Sequence, residues 1–155
     1  MVSARVERAI AQLGLDEQQV LQAITKEHLL PLAAVRPNTF NPKSCTDDRL
    51  LAMAHSLQRH GWKPHDLGLV WQEREGGDYT IISGEHRWMV CKMAGFGSYP
   101  AVIDRASKTM QDAMALNMAL EEARARPDGK KRATNLLALA QAGRDDELRD
   151  IMRVN

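Results

Sequence analysis

The run IISGEHRWMVCKMAGF at 81–96 constrains this chain more than any other stretch. An apolar, β-branched segment ends at Ser83, one glycine follows, and HRWMVCKMA then reads as a helix closed by Gly95. Gly84 permits a tight turn with little side-chain bulk. The first amides of a helix that opens there have no intrahelical partner. Such an end accepts phosphate, through those amides and through the positive end of the helix dipole. Arg87 falls in the first turn and adds a forked guanidinium. His86 can donate from a ring nitrogen. Glu85 is poorly placed beside a bare phosphate and suits capping, metal holding or the positioning of a water. The plain alternative is a solvated first turn, because strand–Gly–helix turns are common. A cation there opposes the dipole, however, and calls for a reason.

The flanking sequence supplies a frame. DLGLVWQ and DYTIIS are strand-like, and REGG between them predicts a hairpin. Upstream, LLPLAAVRPNTFNP reads as a strand leaving into an extended loop. Thr46 caps a predicted helix with the stripe Leu50, Met53, Ala54 and Leu57, stopped by Gly61 and Pro64. PAVID at 100–104 is a further strand. Thr109 and Asp112 form a capping-box pattern for a helix running to about Arg124. Its stripe is Met110, Ala113, Met114 and Leu120, and Asn117 sits inside it with Glu121 one turn on. An amide in an apolar stripe needs partners, either nearby backbone or a ligand.

At the start, Val6, Ile10 and Leu13 and then Val20, Leu21 and Ile24 recur at helical spacing around Gly14, with Asp16 as a cap. Two short helices could form a DNA-reading helix-turn-helix. A packing arm or a dimer contact is the better reading, because DEQQVLQAI has no Arg or Lys to meet phosphate. At the other end, Leu136, Leu137, Leu139, Leu148 and Ile151 suggest two short helices on the core or on a neighbour. The expected organisation is a helical extension at 1–26, a mixed domain at 27–126 and a helical extension at 127–155.

Composition narrows the partners. The 155 residues carry 21 Lys and Arg against 20 Asp and Glu, a formal charge of +1, so any nucleic-acid contact must come from a local patch. Arg124, Arg126, Lys130, Lys131 and Arg132 form one, interrupted by Asp128. The absence of an 18-residue apolar run argues against a membrane span. The charged first residues do not read as a signal peptide. Cys45 and Cys91 are too few for a disulfide framework, and a reducing cytoplasm is the expected location. His55, His60 and His65 recur every five residues, a poor spacing for a metal site on a helix.

Three segments, in order, resemble the ParB/sulfiredoxin superfamily and specifically its ParB-like amino-terminal (ParB-like nuclease) domain. They are VRPNTFNPK at 35–43, ISGEHRWMVCKMAG at 82–95 and, more loosely, ALNMALEEARARPDG at 115–129. The likeness covers about residues 26–126. It implies an α+β fold, a small mixed sheet flanked by helices, that holds a nucleoside triphosphate. It would set Gly84, Glu85, His86 and Arg87 around the phosphates, Asn41 and Lys43 near them, and Asn117 beside the phosphates or a metal ion. The implied cofactor is Mg²⁺ with CTP or ATP. Asn117, with Glu85 or Glu121, would help hold the ion or a water, and Glu85 would serve any slow hydrolysis. In partition ParB proteins CTP closes a DNA-loading clamp; relatives use ATP, cleave DNA or phosphorylate a small molecule.

The expected function is therefore a nucleotide switch in DNA metabolism or partition, with DNA and a homodimer as further partners. Competing readings are a metal-dependent DNA nuclease on the same fold, a small-molecule kinase using Glu27, and a non-catalytic adaptor with a degenerate pocket. Several departures bear on these. Lys43 stands where an Arg is frequent, and Leu116 replaces the usual acid before Asn117. Glu85 occupies the position of sulfiredoxin's cysteine, which disfavours thiolate chemistry, and Cys91 reads as a packed thiol. The stretch after the long helix is expected to be too short for the DNA-reading and dimerisation domains of partition ParB proteins.

Overall fold

Side-chain caps fix where most of the helices begin. The structure, a computed structural model, describes residues 3–40, 45–124 and 128–152. Helix α1 (Ala4–Gln12) starts at Ser3, whose Oγ accepts from the Val6 amide at 3.3 Å. The single turn α2 (Glu17–Val20) starts at Asp16, which accepts from the Gln18 and Gln19 amides. Helix α3 (Asp47–His60) is capped by Thr46 and stopped by Gly61 at φ +73°. Helix α4 (Glu85–Met93) opens at Gly84. Helix α5 (Met110–Ala123) carries the complete Thr109/Asp112 capping box. Amide donors from Lys108 and Thr109 hold the Asp112 carboxyl below its ordinary range. Asp128 caps α6 (Gly129–Gln141), and α7 (Asp145–Met152) follows.

The strands are β1 (Leu29–Pro31), β2 (Val35–Arg36), β3 (Gly68–Gln72), β4 (Tyr79–Ser83) and β5 (Ser98–Ile103). Among the described residues they form one five-stranded mixed sheet in the order β1-β5-β3-β4-β2. The expected hairpin is present: β3 and β4 pair antiparallel, with Val70 opposite Ile81 and Gln72 opposite Tyr79. Strand β5 lies parallel to β3 and antiparallel to β1, while β2 lies parallel to β4.

One element differs from expectation. The run read as a single strand from Leu29 is two short strands at opposite edges of the sheet, separated by a 3-10 turn at Leu32–Ala34. Pro31 has no amide to continue a ladder. Leu32 still donates to the Gly97 carbonyl at 2.9 Å before the chain crosses to the other edge.

Period-two alternation divides the sheet residues between two faces. Val70 and Ile81 pack in the main core, together with Val6 and Ile10 of α1, Leu50 and Leu57 of α3, and Val90 of α4. Trp71 and Ile82 face the other way, onto Ala113 and Leu116 of α5. The architecture is thus a mixed α+β sheet between helices α1, α3 and α4 on one side and α5 on the other.

The first residues belong to that core. Val6, Ile10, Val20, Leu21 and Ile24 are all buried, and the Glu17 carboxylate accepts from the Gly97 and Ser98 amides, each at 2.9 Å. The packing role is the one observed; a DNA-reading pair is not, because α2 is one turn whose apolar residues are committed inward. Helix α7 returns to α3 through Arg59–Asp150 at 3.0 Å and His60–Glu147 at 3.6 Å. No helix among the described residues is long and apolar enough to cross a membrane.

Ile10 is fully buried, so Ile10→Ala should lower stability by about 2–5 kcal/mol in urea unfolding. A loss below about 0.5 kcal/mol would mean that α1 is loosely attached.

Candidate functional site

The site begins where β4 stops. Ser83 leads into Gly84 at φ +102° and ψ 21°, a left-handed conformation that side chains rarely adopt. Space gives a second reason for the glycine. A Cβ there would lie 2.6 Å from the Tyr99 hydroxyl and 3.2 Å from Gly68 Cα. Gly68, at the start of β3, is equally obliged, since its Cβ would lie 2.7 Å from Tyr99 Cζ. Two glycines on neighbouring strands therefore make room for one tyrosine. Tyr99 is fully buried and donates to the Gly84 carbonyl at 2.9 Å. Burial pushes its hydroxyl pKa up, so it remains a donor. Its ring meets Trp62 edge-on, with centroids 6.0 Å apart and planes at 89°.

Among the described residues, no side chain caps α4. The helix opens into a cleft of about 150 Å³. Its lining is drawn from four places in the chain: Met53 of α3, the stretch Asp66 to Gly68, the end of β4 with the first turn of α4 as far as Arg87, and Asn117, Glu121 and Arg124 at the end of α5. The volume is small beside the roughly 300–1,000 Å³ of sites that enclose a whole organic ligand.

Arg87 is held on two sides. Its guanidinium pairs with the Asp66 carboxylate and lies over the Trp62 ring, 5.6 Å from the centroid. Trp62 Nε1 in turn donates to the Asp66 carbonyl at 2.9 Å, which fixes the 3-10 turn Pro64–Asp66 that presents the carboxylate. The Arg87 and Asp66 side chains are 33% and 40% exposed, so this pair is solvent-reachable and weak enough to exchange.

Asn117 is 3% exposed. Its Nδ2 donates to the Ile82 carbonyl at 2.8 Å, so its Oδ1 points away from the strand. That oxygen is buried and has no hydrogen-bond partner among the described residues, a costly state for an amide carbonyl. Asn117 thus bonds backbone through its amide nitrogen, while the residue also lines the cleft. Glu121, one turn on, pairs with Arg124 at 3.4 Å, and Arg124 reaches Ser83 Oγ at 3.4 Å.

The structure sorts the residues singled out from sequence. Gly84, Glu85, His86, Arg87, Asn117 and Glu121 converge on the cleft. Asn41, Lys43 and Arg126 lie outside the described residues. Arg124, grouped with the basic patch by sequence, lines the cleft instead. Lys130 and Lys131 are exposed on the first turn of α6, where both amides bond Asp128 Oδ1 at 3.0 Å. Arg132 is half-buried beside Leu136, Leu139 and Ile151. Among the described residues, no three His, Cys, Asp or Glu side chains converge as a metal site. Glu27, in the 3-10 turn Lys26–His28 before β1, is not on the cleft. Cys91 is fully buried, and burial raises its thiol pKa far from reactivity.

Sequence reasoning missed Asp66, Gly68 and Tyr99. Gly68 left a signal, because glycine inside a strand often marks a close approach. Asp66 and Tyr99 left none, since their roles depend on partners 21 and 15 positions away.

A strand that runs through a left-handed glycine into a helix without a side-chain cap, beside a buried amide on α5, marks a small α+β domain. The sequence model of the ParB N-terminal domain matches residues 8–123, and the chain belongs to that family. A nucleoid occlusion protein of Geobacillus thermodenitrificans is 32% identical over 95 residues, covering 60% of this chain and 31% of that protein. The chromosome-partitioning protein Spo0J of Thermus thermophilus is 34% identical over 100 residues, covering 64% and 34%. The chain therefore spans about a third of the length of these relatives. Among solved structures, a C-terminally truncated chromosome-partitioning protein ParB from Caulobacter crescentus, complexed with CTP-gamma-S, aligns with a TM-score of 0.64. It is 16% identical, with 82% of this chain and 71% of that one covered, and the likeness is one of fold.

The Tyr99–Gly84 bond should be measurable. Tyr99→Phe removes one of the two donors to the Gly84 carbonyl, which also accepts from the Trp88 amide at 3.1 Å, and should cost about 0.5–1.5 kcal/mol in urea unfolding. Gly84→Ala adds both backbone strain and a clash, and should cost more than Tyr99→Phe.

Proposed function

We propose that this chain binds a nucleoside triphosphate in the cleft at the start of α4 and acts as a nucleotide switch in DNA partition or nucleoid organisation. The observation that carries the reading is a helix start without a side-chain cap and a buried acceptor lacking a partner, both on residues that line one cleft. Family membership supports it, and the CTP analogue held by the structurally similar ParB makes CTP the first nucleotide to test.

In this reading the phosphates lie along the first turn of α4. Arg87 and Arg124, both lining the cleft, offset their charge, and Lys43 in the first motif would add to it. Gly84 lets the backbone approach without a side chain in the way. The residues present suit Mg²⁺, because the orphaned Asn117 Oδ1 and the Glu121 carboxylate are hard oxygen donors. Few protein ligands are needed, since Mg²⁺ keeps several waters and takes phosphate oxygens. When bound it would supply further charge neutralisation. Glu85 is the acid placed to orient a water for slow hydrolysis. Lys130, Lys131 and Arg132 would meet DNA phosphate from the start of α6, with Arg126 beside them in the chain.

A non-catalytic adaptor remains the second reading, favoured by one observation: Arg87 already has Asp66 as its counter-ion. Calorimetric titration with CTP, ATP, GTP and UTP, each with Mg²⁺, decides between them. The switch predicts binding of CTP, weakened about ten- to hundredfold in Arg87→Ala, the loss expected for a charge-assisted contact. Four flat titrations would establish the adaptor. Asn117→Leu should remove most of the Mg²⁺ dependence of binding while tolerating burial.

A further inference from the structure

We infer that Asp66 is an intramolecular counter-ion that sets the nucleotide affinity of the cleft by occupying Arg87 until a triphosphate replaces it. The inference rests on the nucleotide reading above and adds a regulating residue to it.

Asp66 and Arg87 pair inside the cleft, on the lining itself, so their bond occupies a place that a phosphate oxygen would take. A carboxylate and a phosphate offer the guanidinium the same forked acceptor, so the exchange needs no new geometry from Arg87. The guanidinium also has a second support, the Trp62 ring 5.6 Å away, that does not depend on Asp66. The carboxylate is placed, not adventitious. Trp62 Nε1 holds the Asp66 carbonyl at 2.9 Å, Trp62 itself is 1% exposed, and Tyr99 packs against it edge-on. The same tyrosine bonds the Gly84 carbonyl, so one buried aromatic pair fixes the distance between the acid and the helix start. A ligand that arrives must displace Asp66 from Arg87 and then tolerate its negative charge nearby. Both effects lower affinity, and both end when the charge is removed.

The test is titration of the full chain with CTP, ATP and inorganic triphosphate, with Mg²⁺, on wild type, Asp66→Asn, Asp66→Ser and Asp66→Glu. Far-UV circular dichroism and thermal unfolding of each variant run alongside. Neutralisation should tighten triphosphate binding about three- to tenfold, the scale of a partly exposed ion pair plus one repulsive charge, while Asp66→Glu stays near wild type. A brace that only supports the fold predicts the opposite sign: Asp66→Asn and Asp66→Ser would bind equally or more weakly, and would melt earlier. Wild-type binding with no gain on neutralisation overturns the counter-ion and leaves the nucleotide site standing. No binding of any triphosphate to any of the four chains removes the site, and the counter-ion with it.

Discussion

A single hydrogen bond, from the buried Tyr99 hydroxyl to the Gly84 carbonyl at 2.9 Å, holds the strand-to-helix turn on which the cleft is built. It exists because two glycines leave a slot. Any side chain at 68 or 84 would collide with the phenol ring or its hydroxyl. The bond also explains how a tyrosine can be buried there: its one donor finds the Gly84 carbonyl, which accepts the Trp88 amide of α4 as well, at 3.1 Å. Through the edge-on contact with Trp62, the same ring positions the loop carrying Asp66. The floor of the cleft and one of its charged walls thus share one buried support.

Charge in the cleft is interleaved. Arg87 faces Asp66, Arg124 faces Glu121, and Glu85 adds a third carboxylate to the lining, so the side chains of the cleft carry no excess of positive charge although it lies at a helix start. This mirrors the chain as a whole, with its formal charge of +1. Such a cleft does not gather anions at long range, because paired charges of opposite sign cancel within a Debye length. Selectivity must come from short-range exchange of partners, which is why the pairings matter more than the count of cations.

The helices at the two ends differ in kind. Helix α1 is part of the main core through Val6 and Ile10. Helix α7 rests on α3 by the ion pair Arg59–Asp150 and the polar contact His60–Glu147, with no fully buried residue of its own. Ion pairs at a surface contribute little compared with buried aliphatic side chains, so α7 is held far less firmly than α1.

Sequence alone determined the elements whose signals are local. The capping residues Asp16, Thr46 and Thr109, the stop at Gly61, the β3–β4 hairpin and the glycine before α4 are all readable from neighbours a few positions apart, as are the phosphate-type motif and Asn117 in its stripe. Tertiary structure decided the rest, because it depends on residues that meet only after folding. The run around Pro31 split between opposite sheet edges, since strand partners are chosen by the whole sheet. Arg124 joined the lining of the cleft, and Asp66 reached Arg87 across a hairpin. Local periodicity specifies which face of an element is apolar; only packing specifies which charge lies opposite which.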